Sequence, residues 1–117
     1  MPKVLLFGLD GSLSNELNPV LEKLGQTVQI ETSNSGVLEN TDANVIFAEG
    51  ETLGAVRNQR PELPVVVVSR IPEVRGWLDA LEAGAIDYCG APFEPTQLRW
   101  VLDSSLRASA PVRRAAA

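Results

Sequence analysis

The sequence has no histidine and only one cysteine, Cys89. Histidine is the commonest metal ligand and the usual general base near neutral pH, so its absence excludes hydrolytic triads and most zinc sites. A single cysteine excludes an internal disulfide, and we expect Cys89 to be a small buried apolar side chain. We therefore expect no resident metal and no cofactor.

Long apolar runs and an excess of basic residues are also missing. No apolar stretch approaches the roughly 20 residues of a transmembrane helix, and the opening residues lead directly into a short strand instead of a signal peptide. The net charge of −5 disfavours direct binding of nucleic acid, because that affinity comes largely from Lys and Arg neutralising phosphates. The composition predicts a cytoplasmic protein that contacts neither membrane nor nucleic acid.

What remains is the composition of one ordinary globular domain. The 117 residues are 44% hydrophobic and 21% charged, which is typical of a folded chain with a single core. Residues 108–117 have no hydrophobic periodicity and are typical of a tail or linker. We predict one domain over residues 1–107, followed by that tail.

The stretch from Pro64 to Ser69 contains four consecutive valines and has no polar face. Such a strand must be covered on both sides, as in a parallel sheet flanked by helices. The runs 3–9 and 45–48 are equally apolar, whereas 27–31 alternates apolar and polar residues and 86–89 is short. The three apolar strands should therefore be central, and the other two should lie at the edges.

Helical patterns separate these strands. They cover about 12–24, 72–83 and 95–106, with a brief helix around Leu53 and Val56 that ends at about Gln59 and a short polar helix or turn at about 35–40. Pro19 lies within the first helix and should kink it. The side chains expected to face the core are Leu13, Leu17, Val20, Leu21 and Leu24 in the first helix, Val74, Leu78 and Leu81 in the helix that ends at Ala83, and Leu98, Val101, Leu102 and Leu106 in the last helix.

Strands and helices alternate five times along the chain. This alternation predicts a single doubly wound, three-layer (βα)5 domain of the α/β class with right-handed crossovers. The difference between central and edge strands predicts a parallel five-stranded sheet in the order 2-1-3-4-5.

The second half of the chain contains a specific series of motifs. The valine strand ends in Ser69, the next helix ends Leu81-Glu82-Ala83-Gly84-Ala85, and the run Asp87-Tyr88-Cys89-Gly90-Ala91-Pro92-Phe93 follows. In these motifs and their spacing the chain resembles the response-regulator receiver domains, the CheY-like family of two-component (phosphorelay) signal transduction. The resemblance extends over about residues 3–106, with shorter segments around the second and third helices. It implies a signalling module that is not an enzyme.

The resemblance also implies which positions would carry phosphoryl transfer. Receivers accept a phosphoryl group from a phosphohistidine onto an aspartate after the third strand, where an acidic pair and that aspartate hold Mg²⁺ and a lysine pairs with the phosphoryl oxygens. The matching positions here are Gly8 and Leu9 for the acidic pair, Glu49 for the acceptor, Ala91 for the lysine, Ser69 for the switch hydroxyl and Tyr88 for the switch aromatic. Only the two switch residues survive, so the resemblance identifies a degenerate pseudo-receiver.

These replacements argue against phosphorylation. Mg²⁺ needs carboxylates together with phosphate oxygens, so Glu49, with Asp10 as a weak candidate ligand, should bind it poorly. Without metal and lysine, nothing offsets the charge that develops on a transferring phosphoryl group. We predict a module that regulates an output domain or partner without being phosphorylated. The alternative is a pseudo-receiver that senses a small ligand at the C-terminal ends of the first, third and fourth strands.

Four residues at these positions each allow two interpretations. Glu49 is either a built-in mimic of a phosphoryl group or, as we favour, a solvated carboxylate at the end of a strand. Asp10 is either a remnant metal ligand or, as we favour, a cap at the start of the first helix. Ser69 either acts as a switch or helps to start the next helix, and Tyr88 either changes rotamer or packs half-buried at the sheet edge.

Trp77 and Trp100 are the best candidates for an interaction surface. They lie on the helix that ends at Ala83 and on the last helix, which are helices four and five when the short element at 35–40 is counted. The resemblance implies that helix four, strand five and helix five form the flank that binds partners. Trp, Tyr and Arg dominate protein interfaces, so we predict a homodimer or partner surface there, the alternative being that both tryptophans only cover the edge of the core. The candidate residues are Trp77, Tyr88, Arg99 and Trp100.

The first turn also allows an interpretation as an enzyme. Residues 7–13, FGLDGSL, resemble the opening motif of the haloacid-dehalogenase-type phosphatases. In that motif the nucleophilic carboxylate would fall on Gly8, so the covalent step is lost and only an acid/base at Asp10 would remain. The motif therefore indicates at most the remnant of a phosphatase.

Overall fold

The computed structural model describes residues 3–31, 43–60, 62–69, 74–90 and 93–109. Predictions that lie outside the described residues concern the short element at 35–40, the helix start at Pro72, the side chain of Val74, the position of Ala91 and the tail beyond Ser109. The division into a domain over 1–107 and a tail therefore stays a prediction.

Strands and helices alternate along the described residues, except between β2 and β3, where residues 32–42 are not described. The strands are β1 (Lys3–Phe7), β2 (Thr27–Glu31), β3 (Val45–Ala48), β4 (Val65–Ser69) and β5 (Asp87–Gly90), and the helices are α1 (Gly11–Lys23), α2 (Gly50–Gln59), α3 (Val74–Glu82) and α4 (Pro95–Ser109). Every strand pair is parallel, and the order is β2-β1-β3-β4-β5. The predicted α/β fold and strand order are confirmed.

The sheet is buried on both of its faces, as its apolar central strands require. Successive side chains of a strand point to opposite faces, so Val4 and Leu6 pack with α1 and α4, whereas Leu5 and Phe7 pack with α2 and α3. All four valines of β4 are buried. Helices α1 and α4 therefore cover one face of the sheet, and α2 and α3 cover the other.

The helix bounds differ from the prediction mainly at one end. α4 continues to Ser109, beyond its predicted end at about Leu106, whereas α2 spans Gly50–Gln59 around the predicted residues Leu53 and Val56. The hydrophobic pattern fails at the end of α4 because no periodic apolar residue marks the extension. α1 runs without a break through Pro19. Within the described ranges, none of the helices combines the length and apolar character that crossing a membrane would require.

The side chains of α1 and α4 that were predicted to face the core do so. In α3 the prediction is wrong for Leu78. That side chain is 49% exposed, and among the described side chains of α3 it is Ala80 that is buried. Ala80 and Gly76 are four residues apart and share one face of the helix, while Leu78 lies about 160° away from Ala80 around the axis. Small residues contribute little to a hydrophobic pattern, so the pattern favoured the leucine.

The first residue of β1 and the residue just before β3 are joined by two hydrogen bonds. The backbone N–H of Lys3 donates to Oδ1 of Asn44 over 2.9 Å, and the N–H of Asn44 donates to the carbonyl of Lys3 over 2.8 Å. They lie just before the paired residues Val4 and Val45. The register of β1 against β3 is thereby fixed where the ladder begins.

The turn that ends α3 depends on Gly84. Its φ of +107° lies in a region that L side chains rarely adopt, and a Cβ there would lie 2.7 Å from Nε of Arg57. We expect Gly84→Ala to lower the free energy of unfolding by about 1–2 kcal/mol, measured by urea unfolding and far-UV circular dichroism.

Gly54 is the matched control for this substitution. It lies on the exposed side of α2, and a Cβ there would meet nothing within 4 Å. Gly54→Ala should therefore raise the free energy of unfolding by about 0.5–1 kcal/mol through helix propensity alone. Equal effects of the two substitutions would contradict strain at Gly84.

Candidate functional site

The central strands β1, β3 and β4 all end on the same side of the sheet, its C-terminal end. Parallel α/β domains usually hold their ligands there. Residues 8–10 follow β1, Glu49 follows β3, and Ser69 is the last residue of β4. The fold therefore brings together four of the positions that the receiver resemblance singles out, together with Asp10.

The turn after β1 directs Leu9 into the core. Gly8 has φ +66°, a conformation that glycine adopts without steric cost. Leu9 is only 5% exposed and packs in the cluster that includes Leu13 and Phe93. Where the acidic pair of a receiver would lie, this chain has a glycine turn and a core side chain.

Asp10 occupies the N-cap position of α1, but its carboxylate does not cap the helix. The backbone carbonyl of Asp10 accepts the N–H of Ser14 over 3.0 Å, while its side chain makes no capping hydrogen bond. Oδ2 of Asp10 instead accepts the hydroxyl of Ser12 over 2.8 Å. Asp10 is thus at the predicted N-cap position, but its carboxylate does not make the predicted capping hydrogen bond.

Glu49 is hydrogen-bonded to the turn after β1, and the solvated carboxylate at the end of the strand stays a prediction. Its side chain is half-buried, and Oε2 accepts the backbone N–H of Asp10 over 2.8 Å. A Cβ on Gly8 would lie 3.7 Å from Oγ1 of Thr52, so the first turn of α2 also approaches the turn after β1. The acceptor-equivalent carboxylate therefore links the two turns.

Few side chains at the C-terminal end of the sheet could bind a metal ion. Asp10 and Glu49 contribute carboxylates, and one oxygen of Glu49 is engaged by a backbone N–H. In the ranges that the structure describes, no three Asp, Glu or Cys side chains are grouped to hold a metal ion. Mg²⁺ generally needs substrate phosphate oxygens besides one or two carboxylates, so Asp10 as a metal ligand stays a prediction.

Tyr88 packs beneath α3. It is half-buried against the core cluster of α2 and α3, and a Cβ on Gly76 would lie 3.1 Å from its hydroxyl oxygen. Of the two interpretations, packing is the one that this position fits. An internal helix glycine costs about 1 kcal/mol relative to alanine, so Gly76 was the sequence signal for a close approach.

Ser69 and Tyr88 both line a cleft between α2 and α3. The cleft has a volume of about 440 Å³, and its other walls include Glu49, Leu53 and Asp79. Sequence reasoning missed Asp79, because a carboxylate on a helix face is usually solvated. The two switch-equivalent residues and the acceptor-equivalent residue thus share one concave surface.

The two tryptophans are exposed on helices at the β5 edge of the sheet. Trp77 on α3 is 43% exposed, and Trp100 on α4 is 71% exposed. Trp100 follows the buried Leu98 by two residues and so points away from the core. The alternative that both tryptophans cover the edge of the core is wrong for Trp100.

Trp77 points toward the β5 edge. It is two residues from Asp79, which lines the cleft on the side of α2, and two helical residues are about 160° apart. Arg99 is exposed beside Trp100. Tyr88 lies beneath Gly76 of α3, and its place in the interaction surface stays a prediction.

Cys89 is buried in the core, as predicted. Burial, with a smaller contribution from the charge of Asp87, raises the pKa of the thiol from 9.0 to about 12. The thiolate is the reactive form, so we expect no labelling of the native chain by iodoacetamide at pH 8 and complete labelling in urea. Labelling of native protein that increases near pH 9 would contradict this.

The same pKa shift has a consequence for stability. Because the folded pKa of Cys89 lies above the unfolded one, the unfolded chain loses the proton first as pH rises. The free energy of unfolding should therefore fall from about pH 9 upward. Cys89→Ala is the control, since it removes that part of the pH dependence.

No protein-family model matches the sequence. The chain is 28% identical over 115 residues to the DNA-binding transcriptional regulator NtrC of Rhizobium meliloti (strain 1021), covering 88% of this chain and 24% of that protein. The chain thus spans about a quarter of the length of this curated relative.

Solved structures resemble the chain over almost all of its length. NtrX from Brucella abortus in complex with ADP has a TM-score of 0.79 at 21% identity, over 93% of this chain and 27% of that one. Full-length FixJ from B. japonicum has a TM-score of 0.79 at 18% identity, over 94% of this chain and 60% of that one. A CheY-like receiver domain protein from Methanospirillum hungatei JF-1 has a TM-score of 0.76 at 20% identity, over 93% and 96%. With this likeness and its strand order, the chain has the fold of a CheY-like response-regulator receiver domain.

Proposed function

We propose that the chain is an atypical receiver domain of two-component signal transduction that acts in the cytoplasm without being phosphorylated and without enzymatic activity. It regulates an output domain or a partner protein, or associates with a second copy, through the surface formed by α3, β5 and α4. The receiver fold and the relation to a transcriptional regulator support the signalling role.

The bond between Glu49 and Asp10 is the observation that carries the proposal. A phosphoryl acceptor must present a carboxylate oxygen to the donor, with cations to offset the charge of the transferring group. Oε2 of Glu49 is instead bonded to the N–H of Asp10, and Leu9 is buried in the core. The C-terminal end of the sheet is therefore better suited to holding the turns after β1 and β3 together than to phosphoryl transfer.

The interaction surface is supported by the position of Trp100. A tryptophan that points away from its own core leaves a large apolar area in water, which costs roughly 25 cal/mol per Å². Such side chains are frequent anchors of protein interfaces. With Trp77 at the same edge and Arg99 beside it, the surface has the composition that partner binding favours.

Treatment with acetyl phosphate and Mg²⁺ tests the absence of phosphorylation. We expect no mass increase of a phosphoryl group in intact-protein mass spectrometry, and no change of sedimentation coefficient on adding beryllofluoride. A receiver domain that keeps its acidic pair, acceptor aspartate and lysine is the positive control. An acyl phosphate at Glu49 would overturn the proposal.

Glu49→Gln separates a phosphoryl mimic from a structural carboxylate. The amide oxygen of glutamine retains an acceptor for the N–H of Asp10 while removing the charge. We expect the oligomeric state of this variant to equal that of the wild type, because the bond and not the charge links the two turns. A changed sedimentation coefficient would favour the mimic.

A further inference from the structure

The cleft between α2 and α3 has the size and the lining of a small-molecule site. Its volume is about 440 Å³, within the range of roughly 300–1,000 Å³ that such sites occupy. Its apolar walls include Leu53 of α2, Val67 of β4 and Ala80 of α3, all of them buried. An apolar ligand body is therefore accommodated between the helices.

The polar groups of the cleft favour a positive charge. Glu49 lies at the start of α2 and Asp79 on α3, and no Lys or Arg is among the described residues that line the cleft. A described cation nearby is Arg57, whose guanidinium lies against Gly84, beside the lining residue Ala83. Asp79 is exposed on α3. The backbone N–H groups at the start of α2 attract anions, but Glu49 places a negative charge beside them.

Two further groups can hold an ammonium ion or its apolar body. The ring of Tyr88 lies in the cleft, and aromatic rings attract organic cations through their negative faces. The hydroxyl oxygens of Ser69 and Tyr88 can accept hydrogen bonds from an ammonium group. Carboxylate, hydroxyl and aromatic groups thus surround one space.

We propose that this cleft binds a small organic cation, a primary amine with an apolar body of about the size of a phenylethyl group. The apolar body lies against Leu53 and Val67, and the ammonium group lies against the carboxylate of Asp79, with Glu49 at the other wall of the cleft. This site is separate from the partner surface of the proposed function, because neither Trp77 nor Trp100 lines the cleft.

A titration followed by ¹⁵N-¹H correlation spectra tests the proposal with three probes of one shape. Phenethylamine carries the cation, 2-phenylethanol is neutral, and 3-phenylpropanoate is an anion. We expect phenethylamine to saturate and to shift the amides of Gly50, Gly76 and Tyr88, and to bind at least about 10-fold more tightly than the alcohol. The anion should bind most weakly, and added salt should weaken binding of the amine.

Asp79→Asn is the decisive variant, with Asp103→Asn as its control. Asp79→Asn keeps the shape and removes the charge, so the affinity for phenethylamine should fall about 10-fold. Asp103 is exposed on α4, on the other face of the sheet, and its substitution should leave the affinity unchanged. Equal affinities for amine and alcohol, an unchanged affinity in Asp79→Asn, or no saturable binding would each overturn the proposal. Trp77→Ala should retain amine binding, which separates a failure here from a failure of the partner surface.

Discussion

Replacement of Leu9 by aspartate should lower the free energy of unfolding by about 3–5 kcal/mol. The substitution introduces the residue type that the receiver resemblance expects. Leu9 is 5% exposed and packs with Leu13 and Phe93, so the new carboxylate would be buried without a partner. A stability of about 5–15 kcal/mol is typical of domains, so such a loss is a large part of the total. Urea unfolding followed by tryptophan fluorescence measures it.

The pH dependence of this loss identifies its cause. Burial would raise the pKa of the new aspartate above its unfolded value of about 3.9. Protonation would therefore relieve the loss, and the difference from the wild type should be smaller at about pH 4 than at about pH 7. Leu9→Met, which conserves volume, should cost less than about 1.5 kcal/mol. A stable Leu9→Asp variant at neutral pH would mean that this turn can still present an acid to the solvent.

The double variant Trp77→Ala and Trp100→Ala should abolish association while leaving the fold intact. Interface tryptophans that act as anchors contribute about 2 kcal/mol or more each, which is about 30-fold in the dissociation constant. Trp100 is 71% exposed, so its removal should change the free energy of unfolding by less than about 0.5 kcal/mol. Sedimentation velocity over a range of concentrations measures the dimer, and urea unfolding measures the stability.

Ile30 provides the control for this surface. It is 42% exposed on β2, at the opposite edge of the sheet from β5. Ile30→Ala removes exposed apolar area of the same kind, and we expect the dimer to be unaffected. A wild-type chain that stays monomeric would contradict self-association. Binding of an output domain or partner protein to the surface of α3, β5 and α4 would then be tested instead. A loss of stability in the double variant without loss of association would identify both tryptophans as packing residues.

Much of the fold was predictable because its signals are long and redundant. The uniformly apolar β4 required cover on both faces, and the alternating β2 suited an edge, so polarity separated central from edge strands and fitted the order of a doubly wound fold. Helix α3 was predicted less well. Its contact with the sheet uses Gly76 and Ala80, and a hydrophobic pattern cannot distinguish a small residue that packs closely from one that lies in solvent.

The candidate site was less predictable because it depends on distances that a sequence does not contain. The resemblance identified Glu49 and Ser69 as neighbours, but the bond from Asp10 to Glu49 joins residues 39 positions apart. The cleft arises where α2 and α3 face each other, and Asp79 enters it only through the rotation of α3. The rotation of α3 about its axis depends on the packing of Tyr88 against Gly76. The hydrophobic periodicity of the sequence does not reveal this contact.

The pair formed by β1 and β3 is closed by hydrogen bonds at both of its ends. Lys3 bonds to Asn44 at one end and Asp10 bonds to Glu49 at the other, across 41 and 39 positions. The entropy of closing a loop grows only slowly with its length, so the second closure is inexpensive once the strands have paired. The chain between Asp10 and Asn44, which includes α1 and β2, is then a long loop that is held at both of its ends. We expect the β2 edge to open and reclose locally while β1, β3 and β4 stay paired, so that the order of unfolding begins at the side of the sheet farthest from the tryptophans.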